Sequence, residues 1–166
     1  MALERSSPFL KGQATIRSPL FSRTWTVQQG GEVLATAHRA VWRRTSKVQL
    51  VDGSTWEISP AGWGILEVRS GDDSLGVAER NNLFGRKWSI DSNRFGYVLS
   101  ARSMLLRKWT IDLGDHPVGR LKGGAFSFNR IDVDAGSGIP LEVIMLSWHI
   151  IVRAWEAAAA AGAGGS

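Results

Sequence analysis

The chain has 166 residues, 43% hydrophobic and 21% charged, proportions that exclude a disordered chain and a polytopic membrane protein. Twenty Lys and Arg against fifteen Asp and Glu leave a net charge of +5, which admits an anionic partner without requiring one. There is no cysteine, so disulfides, thiolate zinc sites and thiol catalysis are excluded, and the length favours a single domain.

Residues 1–12 contain Glu4, Arg5, Ser6, Ser7 and Pro8 but no apolar run suited to a signal peptide, so a flexible N-terminus and a cytoplasmic location are expected. From about Gln13 to Ile131, hydrophobic residues alternate over four to eight positions, the period of strands with two unlike faces. The pairs are Trp25 and Val27, Val33 and Ala35, Val48 and Leu50, Trp56 and Ile58, Leu66 and Val68, Trp88 and Ile90, and Tyr97 and Leu99. Leu106, Trp109 and Ile111 follow, then Phe126 and Phe128. Turn signals at Gly30-Gly31, Asp52-Gly53, Ser59-Pro60-Ala61-Gly62, Gly71-Asp72-Asp73, Asp91-Ser92-Asn93 and Gly114-Asp115 separate them, at spacings short enough for antiparallel hairpins.

An internal repeat supports this order. Arg86-Lys87-Trp88-Ser89-Ile90-Asp91 returns 21 positions later as Arg107-Lys108-Trp109-Thr110-Ile111-Asp112, and looser copies surround Trp25 and Trp56. Each copy reads as strand, polar turn, glycine, strand. Such hairpins form a meander, and a meander loses its exposed edges by closing into a barrel, here of about 12 strands. The in-register tryptophans Trp25, Trp56, Trp88 and Trp109 are expected to face its interior.

The strong helix signal lies at 140–156, with Pro140 suited to the first turn and residues 157–166 forming a disordered Ala/Gly tail. Its apolar residues cover most of the circumference, while Glu142, His149, Arg153 and Glu156 form one narrow stripe. At roughly 1.5 Å per residue this span falls short of a ~30 Å hydrocarbon core, and Arg153 and Glu156 would be costly in lipid. The interior of the barrel is the better home. The predicted fold is therefore all-β with one helix: a closed antiparallel β-barrel enclosing a hydrophobic C-terminal helix, the domain spanning 13–156.

The hairpins around Trp25, Trp56, Trp88 and Trp109, with the closing segment from Gly123-Gly124 through Phe126, Phe128 and Ile139-Pro140-Leu141 to Trp155, give the chain a resemblance to the tubby C-terminal-like superfamily. That superfamily includes tubby domains, LURP-one-related proteins and phospholipid scramblases. The resemblance covers Gln13 to Trp155 and implies a non-enzymatic role, since tubby domains bind phosphoinositide head groups through basic residues of the barrel surface. No functional residue is carried over from it.

The chemistry is sparse. His38, His116 and His149 share no metal-ligand spacing, and His149 belongs to the polar stripe of the helix, where it is expected to pair with Glu142, Glu156 or a wall group. Arg153, if buried, needs a carboxylate, with Glu156 or a strand Asp as candidates. Asp132 and Asp134 resemble the start of a calcium loop, but Gly136, Ser137 and Val143 break its pattern. No phosphate-binding glycine loop, nucleophile elbow or zinc-protease helix is present, so no catalytic residue, metal or cofactor is expected. The clearest charge feature is Arg39, Arg43, Arg44 and Lys47, with no acid between Glu32 and Asp52; Lys87 and Lys108, on the outward parity of their strands, extend the basic surface. These six residues are the candidate anion- or lipid-binding site.

The expected function is that of a monomeric, non-catalytic module for anionic phospholipid head groups, or for a protein partner at a membrane surface. A nucleic-acid binder using the same positive surface is the alternative, though no nucleic-acid partner is expected. An enzyme built from dispersed carboxylates and His38 or His116 is the second alternative.

Overall fold

The computed structural model describes residues 8–20, 22–40, 44–93, 95–124 and 128–163. Its elements are β1 (Phe9–Leu10), β2 (Gln13–Arg17), β3 (Thr24–Gln29), β4 (Glu32–Ala40), β5 (Thr45–Leu50), β6 (Thr55–Gly62) and β7 (Ile65–Ser70). They continue with β8 (Asp73–Arg80), β9 (Lys87–Ser92), β10 (Gly96–Ala101), β11 (Lys108–Leu113), β12 (His116–Gly123), β13 (Arg130–Asp134), β14 (Ile139–Pro140) and α1 (Leu141–Ala163). Strands β2 to β13 form a closed barrel of twelve, each antiparallel to its neighbours in sequence order, and β13 returns to β2 with Ile131 opposite Ile16. Closure leaves no open edge, as the repeated hairpins predict.

Period-two alternation fills the interior. Ile16, Val27, Ala37, Val48, Ile58, Val68, Ala78, Ile90, Leu99, Ile111, Leu121 and Ile131 all turn inward and are buried. α1 runs through the bore, and Val143, Ile144, Met145, Leu146, Trp148 and Ile150 are buried on every side of it. Each such side chain contributes about 1.5–3 kcal/mol on leaving water, so the helix is the core of the barrel. Trp25 meets Trp148 edge to face at a centroid distance of 5.9 Å.

Small wall residues make room for this rod. Ala14, Ala35, Ala37 and Ala78 face it, and Gly123 has no space for a side chain: a Cβ there would lie 2.7 Å from the Trp155 ring. Of the repeat tryptophans, Trp25, Trp56 and Trp109 are buried; Trp88 is half-buried, its indole N–H donating to the Gly85 carbonyl at 3.0 Å.

Several boundaries differ from the sequence expectation. Ser59–Gly62 is not a turn but the end of β6, which carries a bulge between Pro60 and Gly62, and the chain reverses at Trp63-Gly64 instead. Leu106 sits in a turn at φ 58°, not in a strand, and Phe128 also lies outside the strands; Phe126 lies outside the described residues. At the N-terminus, Phe9 and Leu10 pair with Pro140 and Ile139, and Leu10 is buried, so residues 9–10 are held by tertiary contacts rather than flexible. That pairing places Pro140 in a strand, and the helix starts one residue later at Leu141. The helix also outlasts the expected stop at Glu156 and continues to Ala163, because an alanine run has the best helix propensity of any composition and a formed turn to extend.

Candidate functional site

In an up-and-down barrel, alternate connections gather at opposite ends. The connections after β2, β4, β6, β8, β10 and β12 share the end from which the C-terminal part of α1 emerges, and form a crown around the barrel mouth. The other end is a base of tight glycine turns.

Crown and repeat share one period. Phe21, Trp42, Trp63, Phe84, Leu105 and Phe126 follow one another at intervals of 21 residues, one in each crown connection, and Arg23, Arg44, Arg86 and Arg107 stand two places after four of them. No crown connection contains an Asp or Glu. Phe21, Trp42 and Phe126 lie outside the described residues, but the rest show what this period achieves. Leu20, Trp63, Leu83, Phe84, Met104 and Leu105 are between 71% and 88% exposed, so they stand clear of the core.

Local bonding imposes that exposure. In one loop Asn82 Oδ1 accepts the Arg86 amide at 3.1 Å; in the next, Ser103 Oγ accepts the Arg107 amide at 3.0 Å. Gly85 at φ 66° and Leu106 at φ 58° occupy equivalent places, and each carbonyl accepts the indole N–H three residues on, from Trp88 and Trp109. The turn closes beneath positions 83–84 and 104–105 and leaves them at its tip. Arg86 then donates to the Ser103 carbonyl at 2.7 Å, and Arg107 to that of Gly124, tying each loop to the next. Arg80 lies 4.6 Å over the Trp63 ring and Arg107 4.6 Å over Phe128, so cations sit directly against the exposed rings.

The six predicted site residues do not form one patch. Arg43 lies outside the described residues. Arg44 is exposed in the turn before β5, in the left-handed region at φ 53°; Lys47, Lys87 and Lys108 are exposed on β5, β9 and β11 near the crown. β9 and β11 flank β10, so Lys87 and Lys108 lie two strands apart, whereas β5 with Lys47 stands four strands from β9; the lysines form a collar rather than a single face. Two like-charged cross-strand pairs belong to the same collar, Lys108 opposite Lys122 and Arg17 opposite Arg130. Such pairs oppose pairing of the strands that carry them.

Arg39 departs from the expected surface role. It shares the inward parity of Ala35 and Ala37, is only 8% exposed, and reaches α1, where its Nη2 donates to Glu156 Oε2 at 2.9 Å. Glu156 is therefore bonded to Arg39; Arg153, partly buried, feels the same carboxylate at longer range and forms no ion pair among the described residues. Burial lowers the pKa of both guanidinium groups; Glu156 opposes this in each, while Arg153 repels Arg39 and Arg44 repels Arg153. Deeper in the bore His149 Nδ1 lies 2.8 Å from Ser46 Oγ, so its partner is a wall group. Burial first, then Arg39 and Arg153, hold the pKa of His149 well below the ordinary value, and the ring is neutral.

Elsewhere on the barrel there is little that suggests chemistry. Among the described residues no group of three or more His, Cys, Asp or Glu is placed to hold a metal ion. A shallow groove of about 540 Å³ on the outer wall brings Arg120, Lys122 and Arg130 beside Asp132 and Asp134, and Arg130 is already bonded to Asp132 at 3.0 Å. The crown was missed in the sequence because strand alternation draws attention to buried positions; the signal that reveals it is the 21-residue recurrence of large apolar residues between strands. The chain matches no family model, no curated protein and no solved structure.

Proposed function

We propose that the protein is a non-catalytic module that docks on anionic membrane surfaces, crown first, at the cytoplasmic face. The observation that carries this is the ring of exposed apolar residues at one end of the barrel, without a carboxylate in its connections and with arginines two places behind. A fold gains nothing from leaving Trp63, Phe84 and Leu105 in water, and exposed apolar groups rimmed by cations mark a docking surface. The partner that fits is an interface with an apolar interior and an anionic surface. Apolar area entering it contributes at roughly 25 cal/mol per Å², and each collar cation ~1 kcal/mol, the two-signal combination that gives stable peripheral anchoring.

The emerging helix fits the same orientation. Beyond Glu156, residues 157–163 are Ala and Gly only, and they leave the barrel at the crown without a charge. α1 is long and apolar enough to cross a membrane by composition, but its first half is enclosed by the wall, so the contact proposed is peripheral. Kinship with the tubby C-terminal-like superfamily is part of the same proposal, supported by the barrel around a C-terminal helix.

Sedimentation with vesicles tests the function. Binding to phosphatidylcholine–phosphatidylglycerol vesicles, weaker binding to phosphatidylcholine alone, and loss in high salt are expected. Equal binding to both, or to neither, removes the proposal, and capture of a protein in the absence of lipid would favour a protein partner instead.

A further inference from the structure

The mouth of the barrel, inside the crown, holds more positive charge than the described residues answer with ion pairs. Arg39 spends one nitrogen on Glu156; its Nε and Nη1 are buried without a hydrogen-bond partner among the described residues. Arg153 stands three residues before Glu156 without an ion pair among the described residues, and Glu156 is itself half-exposed. Buried guanidinium donors left unmet are costly, and native structures complete them with an oxygen acceptor. Beside Arg39 a cleft of about 210 Å³ opens at the crown between α1 and the wall, lined by Trp25, Phe128, Val152 and Trp155 along with Arg39 and Glu156. That is room for roughly seven water-sized groups, enough for a small anion and the first carbons attached to it.

We infer that this cleft is a binding site for one anionic amphiphile, a phosphate or carboxylate on Arg39 with its hydrocarbon chain against Trp25, Phe128, Val152 and Trp155. The inference rests on the crown facing a membrane, because the cleft opens where lipid would lie. It moves head-group recognition from the outer lysines Lys47, Lys87 and Lys108 to the mouth. Arg39 suits the task better than an exposed lysine. Its low-dielectric surroundings strengthen a charge-assisted bond, and the aromatic walls exclude water from it. Glu156 is then a competitor for the same guanidinium, displaced or shared when the anion enters.

Calorimetric titration of the full chain with dodecyl phosphate, below its micelle concentration, tests the site. One molecule should bind per chain, with dodecyl maltoside and inorganic phosphate each weaker by about tenfold or more, since each lacks half of what the cleft recognises. Arg39→Gln should weaken dodecyl phosphate by at least about tenfold, while Glu156→Gln should tighten it by removing the competitor. Dodecyl maltoside binding equally well, or Arg39→Gln binding dodecyl phosphate like the parent, overturns the inference. Should Arg39→Gln fail to fold, Val152→Phe fills the cleft and leaves the arginine, and unchanged affinity in both Val152→Phe and Glu156→Gln overturns it too.

Two arms separate the sources and the claims. If Arg39→Gln also pellets less with phosphatidylglycerol vesicles, the natural ligand is a bilayer lipid; if only the titration changes, it is a free amphiphile. Phe84→Asp with Leu105→Asp should weaken pelleting by about tenfold or more but leave the titration intact, so failure of the cleft and failure of membrane docking give different results.

Discussion

At the base of the barrel Asp52, Asp73 and Asp115 fall on 21-residue multiples beside turns at Gly53, Gly71 and Gly114; at the crown the same period delivers Trp63, Phe84 and Leu105. Both ends close the same hairpins with left-handed turn residues, so the geometry of chain reversal does not account for the difference. What differs is which side chain the turn presents. A soluble rim is satisfied by Asp and Gly, whereas the crown keeps large apolar groups in water and sets Lys108 against Lys122 and Arg17 against Arg130. The base exposes Val51 and Phe95 too, but its turns carry Asp52, Asp72 and Asp115. The crown instead joins more numerous exposed apolar groups to connections without a carboxylate, and that combination is what docking on an anionic surface requires.

The comparison breaks most severely if the rod joining the two ends is removed. Trp148→Ala should lower stability by about 3–5 kcal/mol in chemical denaturation, because it empties the bore where Trp148 packs on Trp25. Trp148→Phe should cost clearly less, since the indole nitrogen of Trp148 has no partner among the described residues to lose. Next in size, Phe84→Asp with Leu105→Asp should weaken sedimentation with anionic vesicles by about tenfold or more with little change in stability, while Val51→Asp at the base should leave binding unchanged. Glycines sharpen the contrast further. Gly123→Ala drives a methyl into Trp155 and should cost about 1–3 kcal/mol, whereas Gly31→Ala meets no atom within 4 Å and should cost only about 1–2 kcal/mol from its φ of 82°.

The smallest effect is in pH dependence. His149 has a lowered pKa in the fold, so below the ordinary value of 6.5 the unfolded chain takes a proton that the native chain does not. Stability should therefore be fully present above pH 6.5, decline as pH falls below it, and level off only once the buried ring itself protonates. Thermal melts across that window should show His149→Asn flattening the decline; an unchanged slope would mean that His149 is not the group responsible.

Much of this molecule is legible from the chain because its period-two alternation is clean. Val48 and Leu50, Trp56 and Ile58, and Leu66 and Val68 identify their strands without help, and an apolar helix with a single polar stripe has few places to go except the bore. The failures have physical causes. Arg39 has the parity of Ala35 and Ala37 and so points inward, but its position in a run of cations made it look like surface. Leu106 stands where the repeat has Gly85, and its left-handed backbone is held by two indoles, Trp109 and Trp155, donating to one carbonyl; the second comes from 49 positions away and leaves no local trace. The pairing of Phe9–Leu10 with Ile139–Pro140 is equally distant in sequence. The crown lay open to view in the 21-residue period, but at positions where hydrophobic residues serve no fold.

The absence of native cysteine makes the orientation directly measurable. Phe84→Cys at the crown and Val51→Cys at the base, each labelled with a polarity-sensitive fluorophore, should respond differently to phosphatidylglycerol-containing vesicles. The account predicts a blue shift at position 84 and none at 51; a shift at 51 alone, equal shifts at both, or none at either while the protein is vesicle-bound would contradict it.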